Sequence, residues 1–271
     1  MKTSNHLLRR LTAALLAAVL ALSIALPVFA SDDGDTIYIN SVSDLLSLAK
    51  SCAYDQWSVG KTVILQKDLS LEGMLWEPIP SFSGQFKGNG HTISDLTITG
   101  QYSPAGLFGI VEEQGSIESL SVRGIVSVSD SADTTTGGIV GINHGTLISC
   151  QFTGVVTGDS EVGGIVGRNE SEGTIDHSTA RAIVTGKSST GGIAGYNLGA
   201  ITGCTNVGSI NTEYQEASLD TDGFTAKMVD YINNKMAAAD DDATNSVTNV
   251  ATDTGGIAGR SSGMILTSVN T

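Results

Sequence analysis

The chain is short of positive charge, of aromatic rings and of long apolar runs, and each shortage excludes something. It holds 14 Lys and Arg against 28 Asp and Glu, a formal net charge of −14. Residues 1–30 contain three of the basic residues and none of the acidic ones, so eleven bases face 28 acids in the remainder, a charge of −17. Such a surface repels nucleic acid and anionic lipid headgroups, and neither is expected as a partner. The simplest role for the charge is to keep an exposed, secreted surface soluble. After residue 30 no segment is apolar enough to cross a bilayer. Charged residues are only 15% and aromatic ones 5% of the chain, where ordinary globular domains carry about 25% charge. With 33 glycines and 40% hydrophobic residues, that composition suits short strands broken by tight turns and excludes disorder.

Reactive constellations are missing as well. The histidines are His6, His91, His144 and His177, and none lies in the His-Glu-x-x-His pattern of zinc peptidases. No Gly-x-Ser-x-Gly elbow positions a serine nucleophile. Asp240, Asp241 and Asp242 are consecutive and lack the alternating spacing of a calcium loop, so they read as a solvated linker. Arg168 and Arg260 share a repeat position that Ile142 and Tyr196 hold elsewhere, too little for a polysaccharide-cleaving site. No catalytic, cofactor-binding or metal-binding residue is assigned, and no cofactor is expected.

The first thirty residues stand apart. Lys2, Arg9 and Arg10 precede an apolar stretch from Leu11 to Leu26, and Val28-Phe29-Ala30 ends it with small residues. This is the pattern of a cleaved secretory signal peptide over residues 1–30. An uncleaved anchor is the alternative, although the run is short for a span.

Beyond it, one glycine-hydrophobic phrase recurs five times: Ala105–Gly109, Gly137–Gly141, Gly163–Gly167, Gly191–Gly195 and Gly255–Gly259. Successive copies are spaced by 32, 26, 28 and 64 residues. A period in this range marks a solenoid, in which each repeat buries its apolar face by stacking on the next. After each phrase comes a Gly-x-Ile/Leu unit at Gly115, Gly145, Gly173, Gly199 and Gly263. Then follow Leu120, Cys150, Ser178, Cys204 or Ser268, later Gly124, Gly154, Ala182 or Gly208, and two beyond those Val126, Val156, Val184 or Ile210. The expectation is an all-β parallel β-helix of about seven coils, with three short strands per coil of about 26–28 residues.

Register makes sharper expectations. Asn143, Asn169 and Asn197 occupy one turn position, with Ser261 in the fifth copy, and read as a structural ladder. Cys150 and Cys204 are equivalent positions two coils apart with Ser178 between them. Two interstrand steps separate them by about 9–10 Å, beyond the ~7 Å a disulfide allows between Cα atoms. They are expected as buried free thiols.

The Gly-Leu-Phe-Gly at 106–109, the Gly-Gly-Ile-Val/Ala-Gly copies and the lead-in from Phe86 to Ile98 resemble the GLUG motif of bacterial surface proteins. Such repeats also stand beside the catalytic domain of zinc peptidases that cleave immunoglobulin A. The resemblance covers 86–211, resumes at 255–271, and implies a right-handed scaffold with no residue-level activity to carry over.

Residues 31–85 are read as the N-terminal cap and first coils. Within 41–55, Ser43 is expected to cap a helix with Leu45, Leu46, Leu48 and Ala49 as its apolar stripe. Thr62–Leu65 reads as a strand, and Trp76, Pro78, Ile79 and Pro80 as an irregular packed loop. Residues 212–252 interrupt the repeat as an insertion, where Phe224, Met228, Ile232 and Met236 give a helix one apolar face. That face either folds back on the solenoid or receives a partner. Residues 253–271 resume the coil and stop midway through it, which suggests a fragment of a longer protein. The expected role is a non-catalytic secreted or cell-surface scaffold, cell-wall associated or free. Its ligand would be a protein or glycan on another cell or in the matrix, with no membrane contact after signal cleavage. The rival is the N-terminal part of a larger enzyme, a surface peptidase or a glycan-processing β-helix.

Overall fold

A computed structural model describes residues 35–54, 56–128, 134–211 and 253–271. The expected signal peptide and the helical insertion at 212–252 lie outside the described residues. From Asp35 onward the chain is one compact unit, a parallel β-solenoid of about six turns.

Four sheets run along it. Sheet A stacks eight strands: Thr36–Ile39, Thr62–Leu65, Gln85–Lys87, Ser116–Glu118, Thr146–Ile148, Thr174–Asp176, Ala200–Thr202 and Met264–Leu266. Sheet B is built on the longer strands Thr92–Gly100, Ser121–Val128, Gln151–Thr157 and Thr179–Thr185. Sheet C stacks Ile79–Phe82, Phe108–Val111, Val140–Asn143, Val166–Asn169, Ala194–Asn197 and Ala258–Ser261. Sheet D, of four strands, is the one not expected: Thr135–Gly137, Glu161–Gly163, Thr190–Gly191 and Thr254–Gly255. Its strands have two or three residues and end in glycine, so they carry no strand-like apolar pattern. The coil count, about six, is one below the expected seven.

Register matches the repeat alignment residue for residue. Ile142 pairs with Arg168, Arg168 with Tyr196 and Tyr196 with Arg260. Gly154 pairs with Gly124 and Ala182, and Val156 with Val126 and Val184. Because side chains alternate across a strand, each three-residue strand of sheet A from Gln85–Lys87 to Ala200–Thr202 sends one apolar residue inward. Phe86, Ile117, Leu147, Ile175 and Ile201 form that buried column. Each such side chain contributes about 1.5–3 kcal/mol by leaving water. At the N-terminal end the column meets an aromatic cluster, in which Phe108 lies 5.4 Å from Phe82 and 5.5 Å from Phe86 between ring centroids.

Glycine in the repeat phrase serves close packing. A Cβ on Gly195 would stand 2.3 Å from the backbone N of Val162, in the sheet D strand of the turn before. Only a bare backbone lets sheet C and sheet D approach this closely. The corner from sheet A to sheet B has a different requirement. Ser119, Ser149, His177 and Thr267 all adopt φ between 46° and 53° there. This left-handed conformation is uncommon for residues other than glycine, and the same corner recurs in turn after turn.

The cap differs from expectation in two places. Helix α1 spans Val42–Ser51, and Ser41 rather than Ser43 caps it, its Oγ accepting from the Asp44 amide at 3.2 Å. Asp44 in turn accepts from the amide of Asn40, the residue before the cap, at 2.9 Å. These hydrogen bonds hold the Asp44 carboxyl below its ordinary pKa. Leu45 and Leu48 are buried, whereas Leu46 is exposed. The stretch read as an irregular loop contains a strand, Ile79–Phe82, paired with Phe108–Val111. It is the edge strand of sheet C, where the missing N–H of Pro80 costs no ladder bond. Trp76 is buried beside it and donates Nε1–H to the Leu107 carbonyl at 3.1 Å.

Candidate functional site

Along the interior of the sheet C to sheet A corner runs the expected amide ladder. Asn143 Nδ2 donates to Asn169 Oδ1 at 2.8 Å, and Asn169 Nδ2 donates to Asn197 Oδ1 at 2.8 Å. Asn197 Nδ2 then donates to Ser261 Oγ at 3.1 Å. All three asparagines are fully buried, and their Nδ2 groups also hold the turn carbonyls of Gly145, Gly173 and Gly199. Every amide hydrogen thus has an acceptor within the fold, as a buried polar group requires. A second ladder was not expected: Asn206 Nδ2 donates to Asn270 Oδ1 at 2.6 Å. Earlier turns fill that position with Ala180, Phe152 and Val122, so no asparagine repeat pointed to it.

Cys52, Cys150 and Cys204 are free and buried. Cys150, Ser178, Cys204 and Ser268 each donate to the carbonyl two residues back, at 3.5, 3.1, 3.5 and 3.0 Å. The two cysteines therefore do in their turns what serine does in the neighbouring ones. Burial pushes the Cys150 thiol up to about 12 and those of Cys52 and Cys204 up to about 11. A thiol so far from ionisation is a poor nucleophile and metal ligand.

Sheet C presents one outward column to solvent: Ile110, Ile142, Arg168, Tyr196 and Arg260. Arg168 sits between two carboxylates, with Nη1 at 2.9 Å from Glu161 and Nε at 2.6 Å from Glu170. Its guanidinium centre is 5.0 Å from the Tyr196 ring, and that of Arg260 is 5.5 Å from the same ring. Burial works against the charge of Arg168, but Glu161 and Glu170 more than offset it and raise its pKa. A shared repeat position thus does bring Arg168 and Arg260 into one stack, with Tyr196 between them. Arg168 is thus paired with Glu161, Glu170 and Tyr196 of its own surface while its side chain stays 32% exposed.

The histidines stand apart. His91 Nδ1 lies 3.2 Å from Asp68 and His177 Nδ1 lies 2.8 Å from Asp176. His177 is exposed on the sheet A to sheet B corner, and His144 is half-buried on the sheet C to sheet A corner. Among the described residues no group of three or more His, Cys, Asp or Glu is placed to hold a metal ion. No helix among them is long and apolar enough to cross a membrane.

Residues 158–185 match the family model described as the GLUG motif. This segment carries the GLUG motif. It comprises the sheet D strand Glu161–Gly163, the sheet C strand Val166–Asn169, the sheet A strand Thr174–Asp176 and the sheet B strand Thr179–Thr185. A GLUG motif in this chain is therefore one complete turn of the solenoid. The chain is also 31% identical over 155 residues to halomucin of Haloquadratum walsbyi, covering 52% of this chain and 2% of that protein. It is 29% identical over 137 residues to a protein of Evansella cellulosilytica assigned as a Gly-rich membrane protein, covering 36% of this chain and 16% of that one. The chain thus spans only a small share of the relatives it matches. A solved structure from Bacteroides ovatus, assigned as an immunoglobulin A1 protease, matches with a TM-score of 0.41 and 15% identity over 69% of this chain and 80% of that one.

Proposed function

We propose that the chain is a non-catalytic repeat scaffold, secreted or held at the cell surface, whose turns carry loops toward a protein or glycan ligand on another cell or in the surrounding matrix. The observation that carries this reading is the contrast between inside and outside at fixed register. Inward positions are mostly apolar, as in the buried column Phe86, Ile117, Leu147, Ile175 and Ile201, whereas the outward column on sheet C runs through Ile110, Ile142, Arg168, Tyr196 and Arg260. Stacking constrains the interior and leaves the exterior free to vary, which suits a rod that presents surface. The names of the relatives, a halomucin and a Gly-rich membrane protein, support a surface setting. Adhesion goes beyond these names and rests on the variable outer column.

The test is to incubate the purified chain with immobilised matrix proteins and a panel of polysaccharides and peptides, reading both retention and the chemical state of each ligand. Retention of at least one ligand with none altered is the expected result. Cleavage of a polysaccharide or peptide that scales with chain concentration would overturn the scaffold reading.

A further inference from the structure

The sheet C to sheet A corner is not uniform. It takes four steps from Val111 to Gly115 and from Asn169 to Gly173, but two from Asn143 to Gly145, Asn197 to Gly199 and Ser261 to Gly263. Two turns therefore project longer loops, at 112–114 and 170–172. The first lies beside the cap, and between it and the turn at 56–59 is an open cleft of about 360 Å³. Gln56, Ser81, Ser83, Glu112, Glu113 and Gln114 line it, with Val59 as its one apolar wall.

The cleft is built rather than incidental. Ser58, buried, accepts from the Ser83 amide at 2.9 Å and ties the cap turn to the coil. A Cβ on Gly84 would stand 2.7 Å from the Ser58 and Lys61 carbonyls, so the coil is seated as closely as backbone permits. On the other wall Ser81 Oγ donates to Glu112 Oε1 at 2.7 Å, and the Gly115 amide closes the loop onto the Glu112 carbonyl at 2.8 Å. Glu113 and Gln114 stand exposed at the loop tip, and Gln56 holds φ at +59°, aiming the facing turn in a conformation uncommon for glutamine.

We propose that this cleft binds a neutral saccharide unit. Side-chain amides donate and accept, hydroxyls donate and accept, and carboxylates accept. That mixture matches sugar hydroxyls, each of which is both donor and acceptor, while Val59 meets the apolar face of a ring. An anion would meet Glu112 and Glu113 on a chain of net charge −14. A simple cation would use only the carboxylate and amide oxygens, leaving the amide N–H groups of Gln56 and Gln114 to water, and the EDTA arm of the test below tells it from a sugar. The volume lies at the lower end of small-ligand sites, about 300–1,000 Å³, and suits one or two rings.

The test is saturation-transfer NMR of the purified chain with methyl glycosides of glucose, galactose, mannose and N-acetylglucosamine, repeated with EDTA. At least one glycoside binds, the binding survives EDTA, and Glu113→Gln and Gln114→Ala each weaken it about tenfold or more. Glu172→Gln, on the other long loop and away from the cap, leaves it unchanged. Absence of binding by all four, binding indifferent to both cleft variants, or binding abolished by EDTA would each overturn the assignment. Surface display of the chain is read separately, so either idea can fail alone.

Discussion

Asn169 is the position at which the structure commits itself most heavily. Its side chain accepts from Asn143 and donates to Asn197, both at 2.8 Å, and donates to the Gly173 carbonyl at 3.1 Å, in a fully buried site. Asn169→Ala removes both ladder bonds, each with a net value of about 1 kcal/mol. It also leaves Asn197 Oδ1 without its donor, at about 1–3 kcal/mol for an unsatisfied buried group, whereas the Gly173 carbonyl keeps the Ala200 amide at 2.9 Å. The expected loss is about 3–5 kcal/mol, a large share of the roughly 5–15 kcal/mol that separates folded from unfolded chains. Asn143→Val should cost less, about 1–2 kcal/mol, because Asn143 ends the ladder and the paired position one turn below is already Val111. Urea denaturation followed by tryptophan fluorescence and circular dichroism measures the global loss. Hydrogen exchange at the Gly145 and Gly173 amides reports whether the opening is local to these turns, as a stack of nearest-neighbour repeats allows. An Asn169→Ala protein within about 0.5 kcal/mol of the parent, with unchanged exchange at both amides, would refute the ladder as a stabilising element.

Other substitutions test other parts of the fold. Thr136 Oγ1 is buried without a hydrogen-bond partner, so Thr136→Val should raise stability by about 1 kcal/mol, and a fall in melting temperature would contradict the stated burial. A Cβ on Gly154 would stand 1.9 Å from the Gly124 carbonyl at a φ of +149°; Gly154→Ala should destabilise by about 3 kcal/mol or more, although alanine is native at the paired position 182, and chemical denaturation decides it. Raising the Cys150 pKa from 9.0 to about 12 means that the unfolded thiol ionises first. Its contribution is intact below pH 9 and lost as pH rises toward 12, about 3 kcal/mol by pH 11. Cys150→Ser, the residue at the equivalent position 178, should flatten that alkaline loss in a stability-against-pH series, and an unchanged slope would count against it.

Much of this was legible because stacking converts sequence period into spatial register. Aligning the glycine phrases placed Ile142, Arg168, Tyr196 and Arg260 in one column, and the Asn143–Asn169–Asn197 ladder in another, before any coordinates. The same alignment set Ser178 between Cys150 and Cys204, which the structure shows free and buried. What escaped was local or unrepeated. Sheet D is too short and glycine-rich to register as strand, and the strand around Pro80 is possible only because it lies at a sheet edge. Ser41 and Ser43 are chemically equal caps, and only the placement of Asp44 favours the former. The pairing of Asn206 with Asn270 spans 64 residues with no third asparagine to signal it. The cleft at 56–59 and 112–114 comes from two loops meeting, and two extra residues in one corner do not announce a neighbour.

The central claim, an exposed surface scaffold, is tested most directly by shaving intact cells of the source organism with a membrane-impermeant protease and identifying the released peptides. The account predicts peptides from residues 35–211 in the shaved fraction or the culture medium. Finding them only after cell lysis, in the cytosolic fraction, would contradict it.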